Sequence, residues 1–141
     1  LRDMRRGRVV FIWMGSPCTS WSMARRLTHS GPGPLRDGGP GLWGRPDLSE
    51  KDQAKVNLGN RLLRVTASIA REAVRFRIHF VLENPKTSRA WLTEPLLHPV
   101  RKGAEFFEAH YCQYKEPWRK ATYLLCFLAP SMQHVLRVRT G

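Results

Sequence analysis

Two short apolar runs frame one long amphipathic segment, and that order constrains the chain more than any other feature. The run Arg8–Met14 (RVVFIWM) is β-branched and aromatic nearly throughout and stops at Gly15. This is the pattern of a strand buried on both faces of a parallel sheet. The second run, IHFVLE from Ile78 to Glu83, is equally short and apolar. Between them Ser49 is a good N-cap, and Glu50 and Asp52 fall in a first turn where the helix dipole favours carboxylates. Val56, Leu63, Ala70 and Val74 then recur at helical spacing, with Leu62 and Ile69 alongside, up to Phe76. Strand, helix and strand in this order predict a βαβ unit with parallel strands.

The stretch from Thr28 to Asp47 (THSGPGPLRDGGPGLWGRPD) is too rich in glycine and proline for the interior of a helix or strand. A loop this long in a compact domain is expected to be a functional lid or disordered, and Arg25, Arg26, Arg36 and Arg45 make it basic as well as mobile. Trp43 is expected to anchor it. Further on, TSRAWLTEPLL predicts a short helix interrupted at Pro95. The runs AEFFEAHYCQY (104–114) and ATYLLCFLA (121–129), separated by KEPWRK, predict an antiparallel hairpin. The expected fold is α/β, with parallel strands and a C-terminal antiparallel hairpin. Trp13, Phe76, Phe106 and Phe107 are expected in its core.

Lysine and arginine number 24 against 11 acidic residues, a net charge of +13, which favours a polyanionic partner and nucleic acid first. Cys18, Cys112 and Cys126 are odd in number and widely spaced, so neither a disulfide framework nor a zinc cluster is expected. The setting expected from them is reducing and intracellular, nuclear in a eukaryote. His29, His98, His110 and His134 have no ligand spacing, and no metal is expected. No apolar run is long enough to span a bilayer, and the N-terminal one runs into proline rather than a cleavage site, so no membrane partner is expected. With Leu1 at its start and RVRTG at its end, the chain reads as a piece of a longer protein.

In open parallel sheets, ligands bind in the crevice beyond the carboxyl ends of the strands. Cys18 sits just past the first strand, and Glu83 and Asn84 end the second, in VLENP. With the strands as neighbours, a thiol and a carboxylate share one crevice, as needed when one group attacks a ring and the other protonates or holds it. Taken singly, each has a plainer reading: a cysteine after a strand as a packed thiol, and a carboxylate before Asn-Pro as a turn cap. A zinc nucleobase deaminase, whose half-site also contains Ser-Pro-Cys, needs a second cysteine where Trp21 stands, and an upstream His-x-Glu. An amino-methyltransferase needs a Pro-Pro-aromatic motif, which the chain lacks.

GSPCTSWS resembles the Pro-Cys motif of DNA (cytosine-5) methyltransferases, and VLENP resembles their Glu-Asn-Val motif. YKEPWRKATYLL is similar to a weakened form of their glutamine-arginine-arginine motif, and order and approximate spacing match across most of the chain. The resemblance implies that residues 1–141 form a partial methyltransferase catalytic domain with a Rossmann-like sheet. It further implies S-adenosylmethionine as methyl donor and a cytosine flipped out of DNA as substrate. On the matching positions, Cys18 would add to C6 of cytosine, Glu83 would hold N3 and the exocyclic amine, and Asn84 would position that loop. Pro17 would shape the turn against cytosine and cofactor. Ser22 would meet the DNA backbone, and Arg25 and Arg26 of the lid, with Arg119 and Lys120 of the third motif, would contact phosphates.

The chain departs from the family at Thr19, where glutamine is usual, and at Pro85, where valine is usual. Trp118, Lys120 and Thr122 stand for the glutamine and two arginines of the third motif, and a threonine lacks an arginine's bidentate contacts. The family's glycine-rich cofactor loop and target-recognition region have no counterpart in these residues. Segments of this kind also occur within retroelement reading frames. The alternative is a catalytically inactive basic module of the same fold that binds nucleic acid or protein.

Overall fold

The central packing face is carried by α2 (Glu50–Arg75) in the computed structural model, which describes residues 1–16, 18–22, 33–110 and 121–128. Ser49 starts this helix as its sequence predicts: the hydroxyl accepts a hydrogen bond from the Asp52 amide at 3.2 Å, satisfying one of the donors a helix start leaves open. Replacing Ser49 with alanine is expected to cost about 1 kcal/mol, read as a lower denaturation midpoint at unchanged slope. Before the helix come α1 (Arg2–Arg5) and β1 (Phe11–Gly15). After it come β2 (His79–Pro85), a 3-10 turn (Arg89–Leu92), α3 (Glu94–Arg101), β3 (Glu105–His110) and β4 (Ala121–Phe127).

The four strands lie in the order β1-β2-β4-β3. β1 and β2 are parallel, with Phe11 opposite His79 and Gly15 opposite Glu83. β4 runs antiparallel to both β2 and β3, so the later arm of the hairpin, not the earlier one, docks on β2. The fold is therefore α/β, with a mixed sheet that contains both the expected βαβ unit and the expected hairpin.

The main core forms where the sheet meets the helices. Phe80, Leu82, Leu125 and Phe127 pack with Leu63, Ala67 and Ala70 of α2, and Trp91 of the 3-10 turn and Leu96 of α3 join the same cluster. The other sheet face buries Val81, Leu124 and Cys126, with Phe107 and Ala109 partly buried against them. At its β1 edge, however, Phe11 and Trp13 are 46% and 51% exposed. The expectation of a strand buried on both faces, with Trp13 in the core, is thus corrected. Among the described residues β1 is an edge strand, and alternate side chains on a strand point to opposite faces, so only Ile12 and Met14 reach the helix-side core.

Phe76 and Phe106, also expected in the core, are both 38% exposed. Phe76 is the C-cap of α2, and Phe106 lies on the outer strand β3, its ring edge-on to Trp91 at 5.2 Å. Pro95 does not interrupt a helix. It occupies the first turn of α3, behind Thr93 as N-cap, where a missing amide hydrogen is tolerated.

The glycine- and proline-rich stretch contains neither helix nor strand over 33–48, as expected, but this part is not a free lid. Asp37 Oδ1 accepts hydrogen bonds from the amides of Gly39 and Gly41 at 2.8 and 2.9 Å, and the Arg45 amide donates to the Leu35 carbonyl at 3.1 Å. Leu35 and Arg36 are buried. Gly44, at φ 133°, allows the loop to lie close against Val56 of α2; a Cβ there would stand 2.7 Å from its Cγ1. Trp43 anchors the loop, edge-on to Trp21 at 5.7 Å.

Candidate active site

Pairing between β1 and β2 ends at Gly15 and Glu83, so the chain leaves β1 beside the backbone of Glu83, and Cys18 follows three residues later. The Cys18 carbonyl accepts hydrogen bonds from the amides of Trp21 at 3.0 Å and Ser22 at 2.7 Å, which makes Cys18–Ser22 one tight turn. The Trp21 carbonyl in turn accepts from the Arg89 amide at 3.1 Å. That bond joins the cysteine turn to the segment that follows Glu83, Asn84 and Pro85. Cys18, Ser22, Glu83 and Asn84 thus belong to the same end of the sheet. Pro17, Arg25, Arg26, Arg119 and Lys120, like Cys112 and Trp118, lie outside the described residues.

What holds the turn in place is one of the cations counted above as making the loop basic. Arg36 is only 1% exposed, and all five of its N–H groups are used. Nε donates to the Ser20 carbonyl at 3.0 Å, and Nη2 donates to Ser20 Oγ at 3.0 Å and to the Val56 carbonyl at 3.1 Å. Nη1 donates to the Leu42 carbonyl at 3.1 Å and to Asn60 Oδ1 at 2.8 Å. The guanidinium also lies over the Trp21 ring, 3.4 Å from its centroid, while Trp21 Nε1 donates to the Gly59 carbonyl at 3.2 Å. Burial pushes the Arg36 pKa down to about 10, which leaves it a cation at neutral pH. One buried cation, paired with neutral acceptors rather than a carboxylate, therefore fastens the cysteine turn and the loop to α2. Arg45 is not a free phosphate ligand either, since its guanidinium pairs with Asp47 at 3.3 Å.

Next to Glu83, Asn84 is 2% exposed, and neither polar atom of its side chain has a hydrogen-bond partner. Thr122, opposite Pro85 on β4, is likewise buried, and its hydroxyl is unpaired. The third-motif position occupied by threonine therefore lies inside the sheet beside the Glu-Asn-Pro segment. A buried unpaired hydroxyl is costly, whereas an isosteric methyl is not. Thr122→Val is expected to stabilise the fold by about 1–2 kcal/mol, seen as a raised urea midpoint.

The two described cysteines differ in setting. Cys126 is buried in the second core, and burial, followed by the nearby Glu105 carboxylate, pushes its thiol up to about 11, so it stays protonated at neutral pH. It is a packed thiol. Cys18 is only partly buried, on the turn beyond β1.

The methyl donor implied by the resemblance is a sulfonium cation carrying an adenosine, and two cavities among the described residues near this edge are not built for it. One, lined by Thr19, Ser20, Lys55, Leu58, Gly59 and Leu62, has a volume of about 140 Å³, below the roughly 300 Å³ at which small-molecule sites begin. The other, about 470 Å³, is lined in part by Lys86, Ser88, Arg89, Trp91 and Tyr123. Its charged lining residues are Arg89 and Lys86, the latter paired with Glu108 at 2.8 Å, so the lining offers a sulfonium no carboxylate of its own.

Comparisons with known protein families, curated proteins and solved structures find no match to this chain. Among the described residues no group of three or more His, Cys, Asp or Glu is placed to hold a metal ion, and no helix is long and apolar enough to cross a membrane.

Proposed function

We propose that the chain is part of a DNA (cytosine-5) methyltransferase-like catalytic domain with a Rossmann-like sheet, in which Cys18 is the nucleophile and Glu83 the acid. The observation that carries this reading is the parallel β1–β2 register with Gly15 opposite Glu83, reinforced by the Trp21–Arg89 backbone bond across the same edge. They support the reading because the turn that holds the thiol and the residue that carries the carboxylate belong to one end of the sheet. Asn84 and Ser22 lie at the same end of the sheet.

The residues present account for addition to the ring, and no step here passes through the methyl donor. The Cys18 thiolate forms a bond to C6 of cytosine. The C5=C6 π pair shifts to form C4=C5, and the C4=N3 pair moves onto N3, which takes the proton of the Glu83 carboxyl. C5 is then the electron-rich end of an enamine. When water delivers a proton to C5 and the addition reverses, C5 loses its original proton, the thiolate departs, and N3 returns its proton to Glu83. The net result without a donor is exchange of the C5 hydrogen with solvent.

The test is a duplex in which 2-pyrimidinone replaces one cytosine; lacking the amine, this ring accepts thiols readily and holds the adduct. Mass spectrometry of the full chain is expected to show a covalent complex through Cys18. A folded chain that binds this DNA without forming the adduct overturns the enzymatic reading and favours the basic binding module.

A further inference from the structure

The exposed side of α2 carries a ridge that the cysteine chemistry does not use. Asn57, Arg61, Arg64, Ser68, Arg71 and Arg75 recur every three or four residues and so line one face, opposite the helix's buried stripe through Val56, Leu63 and Ala70. At 1.5 Å per residue the ridge is about 27 Å long, with its arginines successively about 4.5, 10 and 6 Å apart along the axis. Several of these residues border a shallow groove of about 600 Å³ on the same face.

Solvated helix faces usually alternate charge, so that carboxylates pair with cations one turn away. Here the helix contains no Asp or Glu from Gln53 through Arg71. Among the described residues Arg61 and Arg71 meet no carboxylate, and Arg64 lies 5.5 Å over the Trp43 ring rather than beside an acid. Only Arg75, at the far end, has a carboxylate nearby, Glu72 at 3.8 Å. Like charges three or four residues apart weaken an isolated helix, so the arrangement is unfavourable unless an anion lies along it.

We propose that this ridge binds the phosphate backbone of double-stranded DNA, as a surface separate from the Cys18 edge. Its regular cations suit a polyanion. The ridge itself carries no aromatic ring on which unstacked bases could lie, and Trp43 beside it is engaged with Trp21 and Arg64, which favours a duplex over a single strand. Binding through it is independent of base sequence and strongly dependent on salt. The inference shares its partner with the function proposed above but rests on none of the cysteine chemistry: failure of the adduct leaves it standing, and its own failure leaves the adduct test untouched.

The experiment follows binding of a 20-base-pair duplex to the full chain by fluorescence anisotropy between 50 and 200 mM salt. R61Q/R64Q/R71Q, with helix content checked by circular dichroism, is expected to bind about tenfold or more weakly, with a log–log salt slope shallower by about 2–3. R61K/R64K/R71K is expected to stay within about threefold of the parent. R2Q/K51Q/K102Q removes the same charge from exposed sites off the ridge and is expected to stay within the same range. Unchanged duplex binding by the glutamine variant overturns the proposal, as does an equal loss in the off-ridge control. Ridge-dependent binding to anionic vesicles with none to duplex also overturns it.

Discussion

Replacing Arg36 with methionine is expected to cost about 3–5 kcal/mol, a large share of the roughly 5–15 kcal/mol available to an ordinary domain. Methionine fills much of the volume but offers no donors. The Ser20 carbonyl and hydroxyl, the Leu42 and Val56 carbonyls and the Asn60 amide oxygen each lose a hydrogen bond in a place water does not reach freely. The contact over the Trp21 ring is lost as well. Lysine is no substitute, because a single ammonium cannot span the five directions of the guanidinium fork, and R36K is expected to lose about half as much. Urea denaturation followed by tryptophan fluorescence measures both. A loss under about 1 kcal/mol for R36M means that the clamp does not hold the loop. The same variant probes the site, because Ser20 and Trp21 belong to the turn that begins at Cys18.

That clamp also shows where the sequence stops being informative. The Ser49 cap, the α2 stripe and the parallel pairing are local or periodic signals, and each was legible because helix and strand periods are set by the backbone. The fate of Arg36 depends on acceptors in three segments up to 24 residues distant, and no local pattern distinguishes a buried arginine from a phosphate-facing one. One signal was available. Gly59 is an isolated glycine within a helical pattern, which marks close backbone approach. In the structure a Cβ on Gly59 would collide with Ser20 Oγ and stand 3.0 Å from Arg36 Nη2 and 3.2 Å from Trp21 Nε1. Trp13 was misplaced for a related reason: a short apolar run looks the same at the edge of a sheet as at its centre, and only the pairing partners decide. Neither Cys18 nor Glu83 is informative alone, and what the structure adds is the end of the sheet they share, carried by the pairing of Gly15, at the head of the first motif, and by Arg89, which lies in none of the motifs.

Cys18→Ala is expected to abolish both the 2-pyrimidinone adduct and the exchange of cytosine C5 hydrogen, while Glu83→Gln slows exchange by about 10²–10⁴-fold. Glutamine has nearly the shape of the acid and retains a donor for N3, but an amide cannot surrender a proton, so negative charge accumulates on the ring as sulfur adds to C6. The two groups serve one step, and removing the second after the first costs little more: C18A/E83Q is expected to match C18A. Anisotropy on the same DNA separates chemistry from binding, because neither change touches the α2 ridge. A plain structural role for Glu83, as the cap of the Glu-Asn-Pro turn, makes the opposite prediction. In that case E83Q lowers the urea midpoint and leaves exchange per folded molecule unchanged, and Cys18 is then a thiol without an acid to complete the addition.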